Sequence, residues 1–230
     1  MSEWTSPELA KSYAESALSS EVNWYEHQVN LPAELELIPA LASTILDFGC
    51  GAGDVTRVLA QKYPRVEGAD LSETMLAMAK QESPTMDFFM WDGTIPLSEK
   101  QSYYDVVFSK LALHFVEDLV TFASNVHGIL KPGGSLIFSV PHPMSTTRKA
   151  NGEYWQQAPY NTEIGTFGVQ VTMIHRSLQS YAQPFVDNRF VLTALQEPRI
   201  SEAIAQKYQA TETDVAIPKR LNLRFEKAAI

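Results

Sequence analysis

Between residues 44 and 140, short apolar runs alternate with segments of helical period. No other feature of the chain constrains its fold as much. Thr44–Phe48, Arg65–Asp70, Met86–Met90, Tyr104–Ser109 and Ser135–Val140 are too short for helices and read as strands. Between them, Val55, Val58, Leu59 and Ala60 recur at helical spacing, as do Met75, Leu76, Met78 and Ala79 behind the N-cap residue Ser72. Val120 to Leu130 reads as a further helix, closed by a turn over Lys131-Pro132-Gly133-Gly134. Strand and helix alternating at this pitch predict βαβ units and a parallel sheet covered on both faces, an α/β fold.

The flanks read differently. Pro7-Glu8-Leu9 starts a helix carrying Tyr13, Ala14, Ala17 and Leu18. A second helix is predicted from Asn23-Trp24-Tyr25 through Leu31-Pro32-Ala33 to Leu35, Leu37, Ile38 and Leu41, bent or restarted at Pro39. The stretch Pro141 to Gly168 is rich in Pro, Gly, Asn and aromatics. Gly168 to His175 alternates as a strand and would pair with Glu153 to Gln156 as a hairpin. A helix over Leu178 to Val186 and strands over Phe190 to Leu195 and Leu221 to Phe225 complete the chain. The expectation is a single domain over 1–230: an N-terminal helical cover (1–43), a core (44–140), an inserted cap (141–176) and the C-terminal part of the core (177–230).

Composition removes several function classes. The formal net charge is −9, so the surface repels phosphate backbones and no nucleic-acid partner is expected. Cys50 is the single cysteine, which allows neither an internal disulfide nor a multi-cysteine zinc site, and no metal is expected. Met1 to Pro7 is polar and does not read as a targeting peptide, and no apolar run is long enough to span a bilayer. A cytoplasmic location with no membrane partner is the resulting expectation. A homodimer is left open.

The strongest local signal is Asp47-Phe48-Gly49-Cys50-Gly51-Ala52-Gly53, a glycine-rich turn leaving a buried strand and opening a helix. Such a turn lets backbone approach a ligand closely. In the dinucleotide fingerprint the third small residue falls five positions after the first glycine. Here that position is Asp54, and the third glycine, Gly53, comes one place early. Asp47 and Asp54 at the two ends of the loop suit a ligand with a cationic group better than a pyrophosphate. Asp70 ends the second strand, where a carboxylate can accept from vicinal ribose hydroxyls; Asp92, beside Gly93 after the third strand, can accept from an adenine amino group. Each acid alone could equally cap a helix or turn. In an open parallel sheet, however, these strand ends converge on one crevice.

In order and spacing, these segments resemble the motifs of class I S-adenosylmethionine-dependent methyltransferases. Ile45 to Gly53 is similar to the first motif, Gly68 to Ala79 to the second, and Trp91-Asp92-Gly93 to the third. Tyr104 to Ser109 is similar to the fourth and Leu130 to Leu136 to the fifth. The likeness covers about residues 44 to 140. Beyond it, His175 to Tyr181 and Gln196-Glu197-Pro198 resemble a subgroup acting on small molecules. The resemblance implies a Rossmann-like, seven-stranded, mostly parallel sheet with helices on both faces and an antiparallel last strand. It also implies S-adenosyl-L-methionine as cofactor and roles for particular residues. Gly49, Gly51 and Gly53 would pass under the methionine part, oriented by Asp47. Asp70 would hold the ribose, and Asp92 and Gly93 would meet the adenine. Leu71 and Met75 would pack on the adenine, and the backbone near Ser109 would face the methionine amino group. For Met75 a place in the core competes with contact. Cys50 is expected to have no chemistry.

Methyl transfer from a sulfonium is an in-line displacement, and a base is needed only where the acceptor must lose a proton. His114, just past the fourth strand, and His142, after the fifth, are the candidate bases; each could instead be a structural histidine. Tyr13, Trp24, Tyr25, Tyr154, Trp155 and Tyr160 are candidates for an aromatic lid. No Asn-Pro-Pro-Tyr run or Pro-Cys nucleophile follows the fourth strand, and no acidic cluster suggests a magnesium site. With the acidic charge balance, these absences point to a small-molecule methyl acceptor. The competing readings are an inactive S-adenosylmethionine-binding regulator or partner subunit, a nicotinamide-dependent oxidoreductase, and methylation of a macromolecule.

Overall fold

The computed structural model describes residues 4, 6–17, 23–150, 152–164 and 169–228. Seven strands form one sheet in the order β3-β2-β1-β4-β5-β9-β8. They are β1 (Thr44–Phe48), β2 (Arg65–Asp70), β3 (Asp87–Met90), β4 (Tyr104–Lys110), β5 (Leu130–Pro141), β8 (Phe190–Gln196) and β9 (Arg220–Lys227). The last strand, β9, runs antiparallel to both its neighbours, and the other pairings are parallel. This is the Rossmann-like arrangement expected from the sequence. The chain enters the sheet at its centre, works outward to β3, then returns to the other side at β4. That reversal opens a crevice beyond the carboxyl ends of β1 and β4.

The strands read as nearly continuous apolar runs because both faces are covered. Successive side chains point to opposite faces. Ile45, Val106, Phe108 and Ile137 pack with Leu37, Ile38 and Leu59 on one side. Leu46, Val107, Leu136, Phe138 and Phe225 pack with Phe122, Val126 and Phe185 on the other. The covering helices are α1 (Pro7–Ala17), α2 (Leu31–Glu36), α3 (Asp54–Ala60), α4 (Glu73–Glu82), α5 (Leu119–Ile129) and α7 (Leu178–Asp187). Ser72 caps α4 as expected, its hydroxyl accepting from the Met75 N–H.

Several expectations are corrected. The second N-terminal helix stops at Glu36 instead of reaching Leu41, which is exposed. It also enters α2 through a π-helical turn, Glu26–Asn30, in which the Leu31 N–H bonds the Glu26 carbonyl. Pro32 has no N–H to give to the carbonyl of residue 28, and the wider turn directly before it absorbs that defect. Lys131 to Gly134 is a detour within β5, not a turn ahead of it: Leu130 pairs with Tyr104 and Ser135 with Val106. The hairpin partner of β7 (Val169–His175) is β6 (Ala158–Ile164), not residues 153–156. Pro159 and Asn161 disguise β6 as loop, yet Ala158 and Tyr160 alternate inward with Val171 and Met173. The helices α6 (Pro143–Thr147), α8 (Glu202–Tyr208) and α9 (Glu212–Ala216) were not expected. The last two bury no side chain and so leave no periodic apolar signal. Leu18 and Gly168 lie outside the described residues.

Candidate active site

A cavity of about 890 Å³ opens at the crevice. Its volume is in the range of small-molecule sites. Gly49, Gly51, Asp70, Leu71, Met75, Trp91 and Asp92 line it, and Tyr13, Lys110, Leu111, Ala112 and Phe115 are also in its wall. The hairpin outside the main sheet adds Gln157 and Pro159 from its first side and Thr172 and Ile174 from its second.

The glycine loop is held by β2. The Gly49 and Cys50 N–H groups donate to the Ala69 carbonyl at 2.8 and 3.0 Å. Gly51 N–H donates to Asp70 Oδ2 at 2.9 Å, and Ser72 N–H to Oδ1 at 2.9 Å. Asp70 therefore fixes both the loop and the start of α4 while facing the cavity. Burial pushes its carboxyl up, against those backbone donors. Gly49 has φ +73°, and a Cβ there would come within 2.3 Å of the Ala112 Cβ. No other residue type fits between loop and β4 end.

Asp47 does not line the cavity. It is buried, accepts from the Thr56 hydroxyl at 2.7 Å, and burial pushes it up to about 7. It ties β1 to α3 from beneath the loop. Gly53, the N-cap of α3, also lies off the cavity wall, as does Gly93, whose carbonyl accepts from Asn125 at 2.8 Å. Asp92 is exposed and accepts from the Thr94 N–H and hydroxyl at Oδ1. Met75 is 2 % exposed and packs with Ala10 and Ala14 while touching the cavity. Ser109 is fully buried behind the wall.

Neither histidine is in the wall. His114 is buried in a 3₁₀ turn over Leu113–Phe115, and burial, aided by Arg220 and Arg176, pushes it down to about 3. Its Nδ1 has no hydrogen-bond partner. His142 is the N-cap of α6, with Nδ1 accepting from the Met144 N–H at 3.2 Å and Nε2 against Glu197 at 2.8 Å. Of the lid candidates, Tyr13 reaches the cavity. Trp24 stacks on Tyr208, Tyr25 donates to the Pro198 carbonyl, and the Tyr154 hydroxyl accepts from the Leu178 N–H. Tyr160 is buried in the hairpin core, and Trp155 is exposed. The sequence reading missed Trp4, Phe115 and Lys110 as wall residues. For Lys110 a signal exists: a cation ending an interior strand.

Glycine loop and acids occupy consecutive strand ends of one sheet, and they meet at one cavity. A family profile described as a methyltransferase domain matches residues 46–138. An S-adenosylmethionine-dependent methyltransferase from Mesorhizobium loti superposes with a TM-score of 0.74 at 26% identity, over 85% of this chain and 96% of that one. The malonyl-[acyl-carrier protein] O-methyltransferase of Yersinia pestis is 30% identical over 162 residues, 70% of this chain and 57% of the relative. The trans-aconitate 2-methyltransferase of Variovorax paradoxus is 30% identical over 148 residues, 61% of this chain and 56% of the relative. The chain thus spans little more than half the length of those two enzymes. Residues 46–138 match a methyltransferase domain, and the chain is similar over most of its length to an S-adenosylmethionine-dependent methyltransferase. No helix among the described residues is long and apolar enough to cross a membrane.

Proposed function

We propose that the protein transfers a methyl group from S-adenosylmethionine to a small-molecule acceptor. The observation that carries this is Asp70: a cavity-facing carboxylate already oriented by the Gly51 and Ser72 amides, with Gly49 and Gly51 on one side and Asp92 on the other. Asp70 receives the ribose hydroxyls, Leu71 and Met75 flank the adenine, and Asp92 accepts from its amino group. Gly49 and Gly51 run under the methionine part. Asp47, Gly53, Gly93 and Ser109 act from behind the wall, holding the loops in place.

When bound, the cofactor supplies an electrophilic methyl group on a sulfonium. The chain's contribution is alignment and exclusion of water. Tyr13, Phe115 and the hairpin residues Pro159 and Ile174 give the remaining wall an apolar and aromatic character suited to a small acceptor. The relative named for trans-aconitate supports an acceptor of modest size, and the one named for malonyl-[acyl-carrier protein] is named for a carboxylic acid carried on a protein. His142 has both nitrogens engaged and His114 is sealed off and neutral, so we assign neither to proton transfer in an acceptor complex.

Calorimetric titration with S-adenosylmethionine and S-adenosylhomocysteine tests the cofactor site, and turnover on a metabolite panel tests the enzyme. Asp70→Ala is expected to weaken S-adenosylhomocysteine by about 1.5–3 kcal/mol, roughly ten- to a hundredfold. Unchanged affinity would falsify the ribose role.

A further inference from the structure

We infer that Lys110 is a seat for a carboxylate, at the part of the cavity wall it shares with Tyr13. Lys110 ends β4 in a row of polar residues that crosses the sheet in register, Lys110 beside Ser139, Ser139 beside Asn222, and Asn222 beside Gln196. Residues in register share a face. The segment leading into α2 sets Glu26 against that row. Glu26 Oε2 accepts from Lys110 Nζ at 2.8 Å and from Asn30 at 3.0 Å; its Oε1 accepts from Arg220 Nε at 2.7 Å.

The charges there do not cancel. Burial works against ionisation of Glu26, but Arg220 and Lys110 hold its carboxyl down at about 2, so it is a full anion at neutral pH. One anion thus faces two cations. Two other carboxyls lie near Lys110: Glu34, fully buried beside Ser139 and pushed up by burial to about 8, and Asp47, buried, bonded to Thr56 and pushed up to about 7. Burial works against ionisation of both, so Glu26, shared with Arg220, is the one fully ionised partner of Lys110 among these three. Lys110 is the one cation in the cavity wall among the described residues, whereas Asp70, Asp92, Glu117 and Asp118 are all acids. The cavity is therefore polarised, with a single anchored ammonium set against several carboxylates.

An ammonium has three donors, and Glu26 takes one. The Tyr13 hydroxyl lies within electrostatic reach of Lys110, Glu26, Arg220 and Asp70. One surplus positive charge on one cavity-facing cation matches a monoanionic group, and a carboxylate gives Lys110 a charge-assisted bond. A phosphate dianion would call for more cations than the wall offers. Glu26, shared with Arg220, fixes the Lys110 side chain before any ligand arrives, so little side-chain freedom remains to be lost on binding.

The inference rests on the cofactor reading above and leaves two sources for the group: the amino-acid carboxylate of the cofactor, or a carboxylate on the acceptor. Wild type, Lys110→Met and Lys110→Arg are titrated with S-adenosylhomocysteine and with 5′-methylthioadenosine, which has no amino-acid part. Methyl transfer is measured on a panel of aliphatic di- and tricarboxylic acids and their amides. Lys110→Met leaves Glu26 its Arg220 partner, and a thermal melt checks folding. If the cofactor is the source, Lys110→Met weakens S-adenosylhomocysteine at least tenfold, leaves 5′-methylthioadenosine unchanged, and Lys110→Arg recovers most of the loss. If the acceptor is the source, both nucleosides bind as before, and KM for the acids rises at least tenfold with a smaller change in kcat. Unchanged nucleoside binding with no acid-specific KM effect, including the case in which no acid is methylated, overturns the inference alone. Failure of wild type to bind either nucleoside overturns the cofactor reading as well.

Discussion

Two parts of the cavity wall are built by different means. Around the glycine loop, the side-chain contacts of Asp70 and Asp92 are local in the chain or join neighbouring strands. Asp70 reaches Gly51 and Ser72, and Asp92 reaches Thr94. Around Lys110, the supports come from far away: Glu26 bonds Arg220 across 194 positions, and Tyr25 reaches Pro198. The first part is a motif. The second exists only once the whole chain has folded. The glycine-loop part of the wall is thus supplied by residues 48–94, whereas the rest depends on how segments distant in the chain close over the sheet.

Substitutions in each part sharpen this contrast. The largest effect is expected from Gly49→Val. Its Cβ has no room against Ala112, and its backbone conformation disfavours any side chain. A loss of about 3–5 kcal/mol in stability, with S-adenosylhomocysteine binding abolished, is expected from strain and overpacking together. Near-wild-type melting would show that the loop moves freely relative to β4.

Next is Arg176→Met in the other part. Arg176 is buried, and its guanidinium donates to the carbonyls of Val116 and Glu117 at 2.6 and 3.0 Å and reaches toward that of Leu113 at 3.5 Å. It ties the end of the hairpin to the loop after β4, which supplies Phe115 and Val116 to the cavity. Chemical denaturation should register a loss of about 2–4 kcal/mol. If the two parts are as separate as their contacts suggest, 5′-methylthioadenosine affinity falls by less than tenfold; a larger fall would join them into one unit.

The third effect depends on pH and emerges only as the solution turns alkaline. Glu34 has its folded pKa raised from 4.5 to about 8. Its favourable contribution is thus complete below about pH 4.5 and is lost as pH climbs through about 8. Glu34→Gln mimics the protonated form at every pH. The variant should match wild type near pH 4.5 and exceed it at pH 9 by roughly 3–5 kcal/mol, read from urea midpoints. Parallel pH profiles would mean that Glu34 is ionised, and the surplus charge beside Lys110 would vanish with it.

What could be read from the sequence follows the same division. The strands, the glycine loop and the carboxylates Asp70 and Asp92 were legible because the period of the chain and short spacings fix them. His114 and His142 were chosen for titration chemistry, which says nothing about facing. Pro143 after His142 starts a helix, and the imidazole became its cap. The signal for Lys110, a cation ending an interior strand, is weak because such a charge alone also fits a solvated strand end. Only Glu26, an N-terminal residue with no local link to it, makes it a fixed part of the wall. The β6 strand was hidden by Pro159, which its place in a two-stranded hairpin allows.

The detour between Leu130 and Ser135 has a practical use. Gly133 has open space around it, and the segment lies at the start of β5, at the opposite end of that strand from the crevice. A fluorescent or affinity module grafted there would project away from the ligands, so the protein offers a ready handle for immobilisation and single-molecule work.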